Sequence, residues 1–275
     1  MLSPVKRVVA SSSLAGGASS YSSAVERFVY TENAGGSNPS GSIAPNNTMQ
    51  LYTRPLLTDS ELKEILLLLT RAEWGRHSSV ESVYLDAHQK NSEMLESPDK
   101  RRISEIVFNA INRDDGFRDL VFPERSTYII VSKTEVGQGF KVHHDMPSNG
   151  DFSTTIFLSD PESYEGGQLQ MLMGDSVTDY ALPAGHAITY YTGIPHCVAE
   201  VTKGVRYAIV FWTTSIVKDA RYRDILADLR KVKKMLPRDY GYDLPQAVEK
   251  PHFILQGIEN KILRHFLTAD ALRGH

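Results

Sequence analysis

The sequence predicts a mainly β protein with flanking helices, an α+β chain built on a barrel or double-sheet jelly roll. Two observations predict it. Seven short β-rich runs separated by turn residues fill residues 126–213, and helical periodicity is confined to the segments on either side. A third sets the scale: 275 residues are enough to bury a substantial core.

Residues 1–50 come first and differ from the rest. They hold eleven Ser, five Gly and three Pro with no hydrophobic period, so they cannot offset their ordering entropy and are expected to be disordered. Lys6 and Arg7, with no acid in the first 25 residues, bear a faint likeness to an organellar transit sequence. Thr58-Asp-Ser-Glu61 reads as a capping box, opening a helix through Leu62, Ile65, Leu66, Leu69 and Ala72. Ile103, Ile106, Val107, Ala110 and Ile111 form one stripe of a second helix over 99–112.

The β-rich runs are Thr127–Lys133, Phe140–His143, Thr154–Leu158, Gln168–Leu172, Ala187–Tyr191, Cys197–Val201 and Val205–Thr213. Ser159-Asp-Pro161, Glu165-Gly-Gly167, Pro183-Ala-Gly185 and Lys203-Gly204 punctuate them. Helical spacing returns through Ile225, Leu226, Leu229 and Val232, and a last helix is expected over 257–268. The chain therefore divides into an N-terminal extension (1–50), a helical part (51–125), a β core (126–215) and a C-terminal helical extension (216–275).

Composition excludes several functions. Lys+Arg of 30 against Asp+Glu of 33 gives a net charge of −3, unlike the basic excess of a dedicated nucleic-acid binder. Apolar runs such as Ile65–Leu69 are far below the ~20 residues of a membrane span. One cysteine, Cys197, permits no internal disulfide and no multi-cysteine zinc site, which favours a reducing, cytoplasmic setting. The basic run Arg221, Arg223, Arg230, Lys231, Lys233 and Lys234 is expected to be a solvated helix face.

The informative constellation is His143-His144-Asp145 with His196 and Arg206. Side chains two apart on a strand leave the same face, so His143 and Asp145 can bind one metal ion while His144 points away. His196 follows 196 − 145 = 51 residues later, enough chain for several strands to bring it back beside them. Two neutral imidazoles and a carboxylate take one face of an octahedron and leave three positions open, the facial triad of non-haem Fe(II) oxygenases. Arg206 lies in the apolar strand Val205–Trp212, sharing a face with Ala208, Val210 and Trp212. A guanidinium inside a barrel must find an anion, and its planar fork suits a carboxylate.

These residues, in this order and spacing, resemble the Fe(II)/2-oxoglutarate dioxygenases of the prolyl 4-hydroxylase superfamily, and most of all the PKHD-type hydroxylases. Phe157-Leu-Ser-Asp-Pro-Glu-Ser-Tyr-Glu-Gly-Gly167 is similar to that family's segment between the metal ligands. Leu182-Pro-Ala-Gly185, Tyr190, Val201-Thr-Lys-Gly-Val-Arg206, Phe211-Trp212 and Ser215-Ile-Val-Lys-Asp219 continue the likeness, as do Gln89-Lys-Asn91 and Asn260-Lys-Ile-Leu-Arg264. Three departures stand out: the short stretch from Asp145 to Thr154, Thr134 where a tyrosine often helps hold 2-oxoglutarate, and Gln168 where an acid is common.

The resemblance implies a double-stranded β-helix (cupin-like) core. It implies Fe(II) on His143, Asp145 and His196, and 2-oxoglutarate anchored by Arg206, with the phenol of Tyr128 or Tyr190 assisting. It also implies O₂ as oxidant, ascorbate as reductant, and release of succinate and CO₂. The substrate would be a peptidyl prolyl group or an amino-acid-type small molecule, hydroxylated at an aliphatic C–H. A homodimer through the C-terminal helices would suit it. Other readings are desaturation or ring closure of an amino-acid-derived metabolite, a non-catalytic cupin-like sensor, and a zinc hydrolase using the same three ligands.

Overall fold

The computed structural model describes residues 51–75, 91–236 and 250–267. The serine-rich 1–50 segment, Gln89-Lys90 and the expected end of the last helix at 268 lie outside the described residues. The chain opens with β1 (Leu51–Pro55), α1 (Asp59–Leu69), β2 (Trp74–Gly75), β3 (Ser92–Met94), α2 (Pro98–Arg113), α3 (Asp115–Val121) and β4 (Pro123–Ser126). The core strands are β5 (Ile130–Thr134), β6 (Phe140–His143), β7 (Phe152–Phe157), β8 (Glu165–Gly166), β9 (Leu169–Met173), β10 (Ser176–Tyr180), β11 (His186–Tyr191), β12 (His196–Val198), β13 (Val201–Lys203) and β14 (Arg206–Ser215). Helices α4 (Ala220–Met235) and α5 (Pro251–Phe266) close the described chain.

An eight-stranded sheet runs β1-β11-β7-β14-β5-β3-β2, with β4 also paired to β14. A four-stranded sheet runs β10-β9-β12-β6. Through the core the chain alternates between the two sheets: β5, β7, β11 and β14 belong to the large one, and β6, β9, β10 and β12 to the small one. That alternation is a double-stranded β-helix with helices packed outside, the predicted fold class.

Alternating side chains sort the large sheet into two buried faces. Val131, Ile156, Ala187, Ile209 and Phe211 face outward and pack with Ile65, Leu68 and Leu69 of α1 and Ile103, Ile106, Val107 and Ala110 of α2. The inward face joins Phe157, Ile188 and Tyr190 to Leu169 and Met171 of the small sheet. Burial of both faces explains why β14 reads as a continuous apolar run interrupted at its start by Arg206.

The capping box predicted at Thr58 is present: the Glu61 amide donates to the Thr58 hydroxyl, and Glu61 Oε2 accepts from the Thr58 amide at 2.9 Å. The expectation for the basic run needs correction. Arg223 is buried, donating to the carbonyls of Val217 and Lys218 at 2.7 and 2.8 Å, over the Phe152 ring. Arg230 pairs with Glu259 at 2.7 Å and Asp119 at 3.2 Å, Lys233 with Glu259, and Lys234 with Asp119 and Asp115. Arg230, Lys233 and Lys234 thus tie α4 to α3 and α5, with partners that lie far away in the sequence, whereas Arg221 and Lys231 are exposed as expected, Arg221 pairing with Asp219 beside it. No helix among the described residues is long and apolar enough to cross a membrane.

Candidate metal centre and anion pocket

β6 and β12 are antiparallel neighbours, and His143 stands directly opposite His196 in their register. Their ring centroids lie 4.3 Å apart. Asp145, two residues past His143, turns in beside them: its Oδ1 is 3.8 Å from His143 Nε2 and its Oδ2 is 3.7 Å from His196 Nε2. One donor atom from each of the three lies within 4.8 Å of the others, a span one ion can bridge. His144 between them is exposed, as its parity predicts.

The local hydrogen bonds prepare these atoms. His143 Nδ1 donates to the Lys141 carbonyl at 2.9 Å and His196 Nδ1 to the Ile194 carbonyl at 2.8 Å. A carbonyl only accepts, so each Nδ1 carries a proton, and Nε2 is the ring nitrogen turned toward the shared site as the ligand atom. Burial, and then the neighbouring His196, push the His143 pKa down, favouring the neutral imidazole a metal requires. The Ser153 hydroxyl donates to Asp145 Oδ2. Ser153 was missed in the sequence because the predicted strand began one residue after it; β7 in fact starts at Phe152. Removing such an outer hydrogen bond typically weakens metal binding 10- to 100-fold. Ser153→Ala is expected to lower Fe(II) affinity by roughly that factor, read by anaerobic metal titration, with the fold intact.

Arg206 is 3% exposed, at the start of β14 and opposite Thr134 of β5. Its guanidinium lies 5.5 Å from the Phe157 ring centroid. Among the described residues it has no carboxylate partner, and its Nε is buried without a hydrogen bond. Burial works against the charge and lowers its pKa, with Tyr164 and Tyr190 partly offsetting the effect. The backbone passes close beside it at Gly167, where an added Cβ would sit 3.2 Å from both Arg206 Cδ and Tyr164 Cε2.

Tyr190 connects the two halves of the site. Its ring meets His196 edge-on at 5.1 Å, and its phenol is engaged by the Thr155 and Ser153 hydroxyls. Burial raises its pKa strongly; Asp145 adds to the rise and Arg206 opposes it, so the phenol lies within the field of both groups. Trp212 is opposite Ser153 in the register and thus on the same inward face, its indole N–H buried without a partner. The structure does not bring Tyr128 here. It is 64% exposed in the turn before β5, because that strand starts at Ile130 and not at Thr127, so it supplies no phenol to the chamber. The phenol beside Arg206 is instead that of Tyr164, on the loop before β8, which sequence reasoning passed over. Its signal was the glycine pair following it, which permits a tight turn into the barrel.

A divalent metal fits the donor set of two imidazoles and one carboxylate, and an anion would neutralise the buried guanidinium, which has no carboxylate partner among the described residues and faces the same interior. Comparison with known proteins agrees with that chemistry. Residues 129–214 match the family model of the 2OG-Fe(II) oxygenase superfamily. A PKHD-type hydroxylase of Synechococcus sp. is 32% identical over 202 residues, covering 70% of this chain and 90% of that protein. One from Rippkaea orientalis is 33% identical over 212 residues, covering 71% and 92%. Among solved structures, a prolyl hydroxylase from Trichoplax adhaerens in complex with a hypoxia inducible factor peptide fragment gives a TM-score of 0.49 at 18% identity, covering 62% of this chain and 85% of that one.

Proposed function

The chain belongs to the PKHD-type hydroxylases of the 2OG-Fe(II) oxygenase superfamily, an oxidoreductase family, and from that premise we propose that it hydroxylates an aliphatic C–H of a prolyl or other amino-acid-type substrate. Fe(II) would be held by His143, Asp145 and His196, and the distal carboxylate of 2-oxoglutarate by Arg206. The observation that carries the reading is a buried guanidinium with no carboxylate of its own, facing the same interior as a His–Asp–His donor set. A scaffold or sensor gains nothing from leaving such a charge unpaired, whereas a dicarboxylate cosubstrate completes it.

When bound, iron, 2-oxoglutarate and O₂ supply the oxidising power to break an unactivated C–H bond, with succinate and CO₂ as co-products. The chain's own residues orient and protect. The Lys141 and Ile194 carbonyls fix the ring planes of His143 and His196. Ser153 fixes Asp145 Oδ2. Leu169, Met171 and Ile188, packed with Phe157, line the interior with apolar surface and exclude water. A peptidyl substrate has one feature in its favour: β6, which carries His143, is the free edge of the small sheet among the described strands, so an extended chain can lie beside the metal ligands.

The test is an assay with Fe(II), ascorbate and 2-oxoglutarate, scored for O₂ uptake, succinate formation and addition of one oxygen atom to prolyl peptides. Stoichiometric succinate and hydroxylated product are expected. Turnover that proceeds without O₂ or 2-oxoglutarate overturns the assignment and favours a hydrolase on the same ligands.

A further inference from the structure

We infer that the chain is a substrate for itself: Pro45, just ahead of the first core strand, is hydroxylated in cis at the His143–Asp145–His196 centre. The inference rests on the prolyl reading given above and names one substrate for it.

The chain enters the fold beside the metal ligands. Leu51, the first described residue, stands opposite Tyr190, and β1 runs from there away from the centre, to Pro55 opposite His186. Tyr190 pairs with Ser153, and Ser153 with Trp212, so one row across the large sheet carries Leu51, Tyr190, Ser153 and Trp212. That row serves the centre: the Tyr190 ring meets His196 at 5.1 Å, and Ser153 donates to Asp145. Leu51 also packs on the cluster that contains Tyr190 and Ile194, the residue whose carbonyl fixes His196. Arg206 lies at the start of β14, six residues before Trp212 and about 20 Å away at the rise of a strand. The cosubstrate's anchor and the chain's entry therefore stand at opposite ends of the interior. The entry end is open: the His143 side chain is 30% exposed, and His144, Met146 and Pro147 are exposed.

Pro45 lies six residues before Leu51, a tether that extends to about 20 Å at most. Opposed Cα atoms of a strand pair are about 5 Å apart, and one ring contact separates Tyr190 from His196, so the tether can reverse direction and still reach the ligands. The chemistry of the segment suits the interior. Residues 33–50 carry no charged side chain, and Ile43 and Ala44 precede Pro45, so entry strips no ion of its water. A reactant on a short tether is presented at about millimolar concentration. Pro39, between Asn38 and Ser40, is 12 residues from Leu51 and Pro4 is 47, so Pro45 combines the shortest tether with apolar neighbours.

The step balances with the cosubstrate. 2-Oxoglutarate loses CO₂ and takes one atom of O₂ into the new carboxylate of succinate. The other atom is inserted into a ring C–H of Pro45, giving C–OH. The keto acid and the C–H bond each supply two of the four electrons that O₂ accepts.

The experiment uses the full chain prepared without iron, then given Fe(II), ascorbate, 2-oxoglutarate and ¹⁸O₂, and digested for mass spectrometry. One ¹⁸O atom is expected on Pro45, at a first-order rate that does not change over a tenfold range of protein concentration. Pro45→Ala should abolish that label and leave turnover of added prolyl peptides intact. A readout without turnover is NMR of the chain loaded with Mn(II) and 2-oxoglutarate: the Ala44 and Asn46 amides should broaden more than that of Val8, and the Zn(II) form should show no such contrast. Label confined to other residues overturns the proposal, as does a rate that scales with protein concentration or an absence of selective broadening. If added peptides are hydroxylated while Pro45 stays unlabelled, this inference falls alone. If O₂ and 2-oxoglutarate are never consumed together, the oxygenase reading falls and takes this one with it.

Discussion

Arg206→Met is expected to leave the protein at least as resistant to denaturant as wild type while it loses its hold on 2-oxoglutarate. The two halves of that result have one cause. Arg206 is buried, and no carboxylate among the described residues neutralises it, so in the free protein its charge opposes folding. Methionine fills similar space without the charge, and replacing buried ionic groups by apolar ones of like volume is often neutral or stabilising. Binding behaves in the opposite way. Deleting one partner of a buried, hydrogen-bonded charge pair costs about 2–5 kcal/mol, or roughly thirtyfold to a few thousandfold in affinity. Urea unfolding and anaerobic calorimetry read the two quantities separately. A variant that unfolds more readily and still binds 2-oxoglutarate would mean that Arg206 is a structural cation.

Asp145→Ala should have the largest effect on metal. Structural sites with four ligands bind with about 10–16 kcal/mol, or roughly 3 kcal/mol per ligand, so losing one of three donors weakens binding by on the order of a hundredfold or more. Asp145 also supplies the only charge among those donors, and both histidines face it at 3.7–3.8 Å. Metal content after dialysis should fall accordingly, and succinate formation should drop to background. The loss should exceed that of Ser153→Ala, which removes only the hydroxyl that orients Asp145 Oδ2. The reverse order would show that Asp145 is not a ligand.

Much of the architecture was legible because it depends on local geometry. Phe140–His143 was predicted with the bounds it has, and the remaining core runs fell within a few residues of their strands. The helices at Thr58 and Ile103 were legible from cap and period. Elements without a strong period were not: Ser176–Tyr180 mixes polar and apolar residues on both faces, and it is held by pairing with β9. The short helix Asp115–Val121 was missed for a similar reason; two buried residues, Phe117 and Val121, carry its packing.

Within the site the same division holds. The sequence alone determined that Arg206 enters a buried strand, because side-chain parity is a property of one strand's backbone, and it paired His143 with Asp145, although β6 ends at His143 and Asp145 lies just beyond it. Tertiary structure decided that His196 lies opposite His143, that Ser153 steadies Asp145, and that Tyr164 rather than Tyr128 stands beside Arg206. Those facts depend on which strands pair and how glycine-rich loops fold between them. Contacts made across 42 or 53 residues, or between a strand and the loop before it as for Asp145 and Ser153, leave no periodic trace in the chain, since the physics that selects them acts only after the barrel has closed.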